Sequence, residues 1–248
     1  MEDRRIKELM DSQRTGKILL GEIITKGQVD NQPAAVINFK GLKVFCPESE
    51  LGVKDDVKDK VNALLGVPVE FVVIAESNGQ FLVSRRKAME QRRKQWANLK
   101  IGDIVNGRIT GITPRNAFVE VYGYEFPLPV EEMLWNYTND LRRHFKLGQR
   151  VKVKILATNP PRVSVKEAMP DPWSTPPEVQ PEQTIAAPVD AIAPFGILVR
   201  LPDGKQCLCP PYTNARENPI IGTKVAVLIK TVDVENRRIF GTILRILR

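Results

Sequence analysis

One histidine stands in the whole chain, at position 144, within Leu141-Arg142-Arg143-His144-Phe145-Lys146. A histidine works as a general base or a metal ligand only with partners, and neither a Ser-His-Asp relay nor a histidine-built metal site can be assembled from one. Its neighbours read as a short surface helix capped by Asn139 or Asp140. Glu131-Glu132 is the most tempting carboxylate pair, and its setting reads as a solvated turn. The cysteines are Cys46, Cys207 and Cys209, an odd count without C-x-x-C spacing, which disfavours a zinc site or a disulfide framework. Cys207 and Cys209 lie two apart in a strand-like stretch and should share one face as buried thiols. No G-x-x-x-x-G-K-[ST] or G-x-G-x-x-G loop is present. The expectation is no catalysis, no metal and no cofactor. The remaining chemistry is charge and rings: Arg92, Arg93 and Lys94 cluster on a basic stretch, and Tyr122, Tyr124 and Phe126 surround a turn. The cations read either as phosphate contacts or as the solvated side of a spacer. The rings read either as an exposed aromatic edge or as caps on a core.

The 248 residues carry a formal net charge of +8. Residues 87–99 hold net +3 and residues 100–168 net +4, so nearly all of the excess lies in one central region. Such a localised surplus is the footprint of a polyanion binder, with a merely solubilising surface as the alternative. Hydrophobic content of 42% and charged content of 27% are those of a globular protein. No apolar run approaches the ~20 residues of a membrane span. The start, Met1-Glu2-Asp3-Arg4-Arg5, has the character of neither a secretory nor a transit peptide, so a cytoplasmic location is expected, with no membrane partner.

These residues must be positioned by a repeated element. A glycine followed by a β-branched run occurs three times: Gly66 to Ile74, Gly148 to Ile155 and Gly222 to Lys230. The three glycines are 82 and 74 residues apart, which points to three copies of one small β-domain. The expected organisation is an N-terminal helix over 1–15, a first barrel over 16–88, a basic linker helix over 89–99, a second barrel over 100–168, a proline-rich linker over 169–183 and a third barrel over 184–248. The basic helix reads as starting near residue 85, with Met89, Trp96 and Leu99 on one side. In the N-terminal helix Ile6, Leu9 and Met10 should form the packed side. Lys40-Gly41 and Asn78-Gly79 are hairpin turns, and Lys54 to Val61 a short helix or loop. Proline from Pro170 to Pro181 forbids helix and leaves the third barrel tethered more independently.

Aligning the copies brings out Gly107-Arg108-Ile109-Thr110-Gly111-Ile112-Thr113-Pro114-Arg115-Asn116-Ala117-Phe118-Val119 in the second and Ala193-Pro194-Phe195-Gly196-Ile197-Leu198-Val199 in the third. With the last strands led by Arg162 and Arg238, this pattern resembles the S1-type RNA-binding domain, an OB-fold module repeated in ribosomal protein S1. The resemblance covers about residues 16–88, 100–168 and 186–246. It implies an all-β fold of three tandem five-stranded OB barrels that hold single-stranded RNA across one face, combining a basic groove with aromatic platforms. The two aromatic positions of that family fall on Arg115 and Phe118 in the second copy and on Phe195 and Leu198 in the third; the first copy has a longer polar segment, Gly27 to Gln32, instead. The RNA-contact set implied is Arg108, Arg115, Asn116, Phe118, Tyr122, Tyr124, Arg162, Phe195 and Arg238, with Arg92, Arg93 and Lys94 from the helix. The first barrel is the candidate protein-docking module, for instance on the ribosome. The expected function is non-enzymatic binding of single-stranded RNA in translation or a related RNA process; the alternative is a docking adaptor with little RNA affinity of its own.

Overall fold

The computed structural model describes residues 4–53, 55, 57–77, 79–212 and 218–247. Lys54 and Asp56 of the expected short helix or loop, Asn78 of the second turn, and Met1 to Asp3 and Arg248 at the expected outer boundaries lie outside the described residues. By packing, the chain forms two compact units. The first comprises Met1–Ile112, Ala117–Leu128 and Phe145–Val163, the second Thr113–Asn116, Pro129–His144 and Ser164–Arg248.

α1 (Arg4–Thr15) packs on the first β-module. Leu9 is fully buried and Ile6 lies against the same core, but Met10 is exposed. The packed ridge follows i, i+3 steps from Leu9 to Ser12 instead. The Ser12 hydroxyl donates to the Lys17 carbonyl at 2.7 Å and accepts from the Val73 amide at 3.0 Å. The first module has β1 (Leu19–Val29), β2 (Gln32–Phe39), β3 (Leu42–Pro47), β4 (Pro68–Ser77) and β5 (Gln80–Ser84). They close as a barrel in the order β1-β2-β3-β5-β4, with β3 and β5 parallel at Phe45 and Leu82. Lys40 and Gly41 form the expected turn, both at positive φ (51° and 90°).

α2 (Arg85–Trp96) begins directly after β5, capped by the Ser84 hydroxyl, which accepts from the Lys87 amide at 3.0 Å. Ala88, Met89 and Trp96 are its buried side, while Leu99 lies beyond its end. The middle module has β6 (Ile104–Ile112), β7 (Asn116–Val121), β8 (Tyr124–Pro129), the single turn α3 (Val130–Met133), β9 (Arg150–Thr158) and β10 (Pro161–Ser164). Its order, β10-β9-β6-β7-β8, is the barrel order cut open between β8 and β10. Along β9 Val151, Val153 and Ile155 face in, while Arg150, Lys152 and Lys154 alternate outward, so the period-2 rule puts basic surplus on the solvent side.

The third module has β11 (Thr184–Ala193), β12 (Gly196–Arg200), β13 (Gln206–Cys209), β14 (Lys224–Asp233) and β15 (Arg238–Ile246), closed in the same order as the first. The proline-rich stretch is not free of it. Val179 is buried in its core and Trp173 packs on that core. Pro172–Ser174 forms a 3-10 turn, because proline is tolerated in a first turn and Asp171 caps it, accepting from the Trp173 amide at 2.8 Å.

The repeated glycine is a closing device. Gly66, Gly148 and Gly222 take φ of 74°, 76° and 88°, a region that costs other residues roughly 1–2 kcal/mol. Each amide donates at 2.8 Å to the carbonyl of Ile23, Ile109 or Val189 on the module's first strand. The amides of these three return the bond to Val67, Gln149 and Thr223 at 3.2, 3.0 and 2.9 Å. Immediately beyond, each first strand carries the same bulge, at Ile23/Thr25, Ile109/Gly111 and Val189/Ala191. The bulges align the hairpins: residues 25–36 of the first module correspond to 111–118 and 191–198, so the first hairpin is four residues longer. Gly27 to Gln32 is therefore hairpin, turning at Asp30-Asn31 with φ of 49° and 61°.

Cys46, Cys207 and Cys209 are all fully buried. Burial pushes the Cys46 thiol up to about 12. A hydrogen bond to Cys209, then burial, holds Cys207 protonated well above the ordinary range. Only thiolates react. The same hydrogen bond lowers the pKa of Cys209, but that thiol is as fully buried as the other two, so Ellman's reagent at pH 8 is expected to titrate none of the three in the native protein and all three in denaturant; rapid native reaction would contradict the packing.

Candidate nucleic-acid interface

In the first unit, Arg92 pairs with both carboxylate oxygens of Glu70 at 2.7 and 2.6 Å. The Arg93 Nε donates to the Gly123 carbonyl at 2.8 Å, and its guanidinium lies 5.2 Å from the Tyr124 ring centre. Lys94 is exposed and forms no ion pair among the described residues. Two of the three helix cations thus fasten α2 to its neighbours. The Tyr124 ring meets Trp96 edge-on at 5.2 Å and Phe126 at 6.3 Å, so this ring cluster seats the helix. Tyr122, at the tip of the β7–β8 turn, lines a pocket of about 290 Å³ with Arg92, Arg108 and Arg150 among its walls. Arg108 stands opposite Arg150 across β6 and β9. Burial first, then the Arg150 charge, lowers its pKa. Phe118 is 37% exposed on β7, set against Gly111 of β6. Arg162, in β10, is exposed.

The turn Thr113 to Asn116 belongs to the second unit. The Thr113 hydroxyl accepts from the Asn116 amide at 2.9 Å, which leaves Arg115 and Asn116 exposed. Arg115 lines a cleft of about 340 Å³ that also contains Trp135, Asn136, Tyr137 and Lys166. The Lys166 ammonium lies 4.9 Å from the Trp135 ring centre, and the indole N–H donates to the Met169 carbonyl at 3.4 Å.

The stretch after α3 lies against β12 and β13. The Tyr137 amide donates to Gln206 Oε1 at 2.8 Å, and Gln206 Nε2 donates to the Tyr137 carbonyl at 2.9 Å. Asn136 Nδ2 donates to the Gly204 carbonyl at 2.8 Å. This seats the Tyr137 ring edge-on to Phe195, centres 5.3 Å apart, and over Leu198, which is buried. Phe195 itself is 56% exposed. Tyr137 thus supplies a ring where the third copy has Leu198 in place of the expected aromatic. Farther along, Asp140 caps the turn at Leu141, and the Arg142 guanidinium holds its carboxyl down to about 2. Burial lowers the pKa of His144, whose Nε2 lies 3.2 Å from the Thr138 hydroxyl.

A second cleft, of about 410 Å³, opens on the outer side of β12, β13 and β15. Trp135, Trp173, Phe240, Arg237 and Arg238 are among its walls. Arg237 pairs with Asp171 at 2.8 Å, while Arg238 is exposed and forms no ion pair among the described residues. The expected contact residues therefore fall in several places. Arg92, Arg108 and Tyr122 share one pocket, Arg115 and Arg238 line two clefts, and Asn116, Phe118, Phe195, Arg93, Lys94, Tyr124 and Arg162 stand outside all three. Trp135, Tyr137, Trp173 and Phe240 were not expected at the site. The available signal was the scarcity of aromatics, 6% of the chain, which makes three rings in connecting segments conspicuous.

Among the described residues, no helix is long and apolar enough to cross a membrane. Residues 98–165 match the family S1 RNA binding domain. The chain is 29% identical over 223 residues to small ribosomal subunit protein bS1 of Rhizobium meliloti, covering 82% of this chain and 39% of that one. It is 25% identical over 213 residues to a protein named 4-hydroxy-3-methylbut-2-enyl diphosphate reductase from Clostridium acetobutylicum, covering 81% of this chain and 32% of that one. The chain thus spans about a third to two-fifths of the length of these relatives. Among solved structures, a multidomain protein with nucleic acid binding domains from Streptococcus pneumoniae aligns over 92% of this chain and 73% of its own, at 12% identity and a TM-score of 0.26. The chain thus carries three five-stranded OB-type modules in sequence, the middle one matching the S1 RNA binding domain, and is similar to ribosomal protein bS1.

Proposed function

We propose that the chain binds single-stranded RNA without catalysis, through its middle (100–168) and third (184–248) modules, in translation or a related cytoplasmic RNA process. The observation that carries this reading is that large rings stand exposed on modules whose cores are otherwise sealed: Phe118 at 37%, Phe195 at 56% and Phe240 at 36%. Exposed rings offer π-faces to unstacked bases, and the exposed Arg115 and Arg238, neither in a close salt bridge among the described residues, offer charge to phosphates. The first module (16–88) has no such ring: the position matching Phe118 is Val36, which is buried. That favours a protein-docking role for it, the ribosome being the partner suggested by the bS1 relative.

A second reading, a docking adaptor with little RNA affinity, draws on the ion pair of Arg92 and the cover of Tyr137 over Leu198. Filter binding of labelled single-stranded RNA at two salt concentrations separates them. Retention should fall steeply with salt, with a log–log slope of roughly −0.7 per phosphate contacted. Phe118→Ala with Phe195→Ala should weaken binding by ~1–3 kcal/mol per engaged base. Stability should change by only about 0.5 kcal/mol per site, as for exposed positions generally. No retention at either salt supports the adaptor; unfolding of the double variant would make these rings core.

A further inference from the structure

The geometry points to a composite base-binding track in the second unit, walled by Trp135 and Trp173, through which one RNA strand passes from the Arg115–Lys166 cleft into the Arg238–Phe240 cleft. This rests on the RNA reading above and names where in that unit the strand lies. Neither tryptophan belongs to a β-strand of a module. Trp135 sits in the connection after α3, and Trp173 in the 3-10 turn of the proline-rich stretch.

Four observations converge. Trp135 and Asn136 line both clefts, so the two spaces are contiguous along one wall. Each space, of about 410 and 340 Å³, lies within the range of small-ligand sites. Both indoles are held in place: Trp135 by its N–H bond to the Met169 carbonyl at 3.4 Å, Trp173 by the Asp171 cap and by packing on the third core. A held ring loses little entropy when a base stacks on it.

The polar groups are also suitably divided. Gln206 spends both of its N–H groups, on Tyr137 and Asp190, and its Oε1 accepts from the Tyr137 amide. Among the described residues Asn136 uses one donor, toward Gly204, which leaves Oδ1 and the second N–H for a base edge. Cations mark the two ends: Arg115 and Lys166 in one cleft, Arg237 and Arg238 in the other. A duplex, whose bases are already stacked, has no faces to offer these rings.

The test uses the full chain and an oligouridylate of ~12 nucleotides, within the site sizes known for such folds. Tryptophan emission is followed during titration. Trp96 is 5% exposed and enclosed by Tyr124 and Phe126, so a change in emission reports Trp135 and Trp173. The expected result is quenching by the single strand and none by a matched duplex. Trp135→Leu and Trp173→Leu keep apolar volume while removing the π-face, and each should weaken binding roughly tenfold or more. Should either variant fail to fold, emission of the unaltered protein still decides. RNA binding with unaltered emission and unaltered affinity in the folded variants overturns the track and leaves the wider RNA reading standing. Absence of RNA binding by the unaltered protein overturns both.

Discussion

Arg85→Ala is expected to destabilise the first unit by about 3–5 kcal/mol, the range found when one partner of a buried ion pair is removed. Arg85 opens α2 and is 2% exposed. Its Nη1 donates to the Leu51 carbonyl at 2.9 Å, and its Nη2 pairs with Glu120, itself only 14% exposed. Truncation strands the Glu120 carboxylate in a poorly solvated place and leaves the Leu51 carbonyl without this donor. The loss comes from those orphaned groups more than from the bond itself. Replacing both partners, Arg85→Met with Glu120→Leu, should therefore recover most of it. Urea unfolding of the two variants is the measurement. A single variant within 1 kcal/mol of the parent, or a double variant no better than the single, would refute the account.

Gly123→Ala is expected to cost about 2–5 kcal/mol in the same unit. Gly123 follows Tyr122 in the β7–β8 turn at φ 75°, where any other residue loses roughly 1–2 kcal/mol. A Cβ built there would overlap the Met89 carbonyl oxygen of α2, a backbone atom that cannot swing aside. Forced overpacking adds typically 1–3 kcal/mol. Gly66→Ala is the control, since Gly66 has φ 74° and nothing within 4 Å of an added Cβ. It should lose the backbone share alone. Equal losses in thermal or urea unfolding would mean that α2 does not press on the turn.

Legibility in the sequence followed the range of the interactions. The Gly66, Gly148 and Gly222 device is local, two hydrogen bonds beside a bulge repeated three times, and its period announced three five-stranded modules. The Lys40-Gly41 turn was readable for the same reason. Ser12 in place of Met10 was not, because a hydroxyl reaching the Val73 amide 61 residues away outweighs an apolar side chain that finds no cover. The proline-rich stretch misled in the same way: proline density rules out a long helix, yet says nothing about whether Val179 finds a core. At the candidate interface, Arg115, Phe118, Phe195 and Arg238 came from the aligned copies, and all four are exposed. Trp135 and Tyr137 escaped because they lie in connections, and Tyr137 meets β13 through Gln206, 69 residues away.

The placement of Val179 and Trp173 has a consequence for dissecting the protein. A fragment beginning at β11 would leave behind a piece of its own interior, together with the lid on the buried Lys205–Asp203 pair, whose ammonium lies 5.6 Å from the Trp173 ring. A protease nicking between Pro170 and Pro181 would breach the wall of the last barrel rather than sever a leash. A C-terminal piece that is to keep this core must therefore start upstream of the prolines, and the stretch that looks most dispensable is the one such a piece must keep.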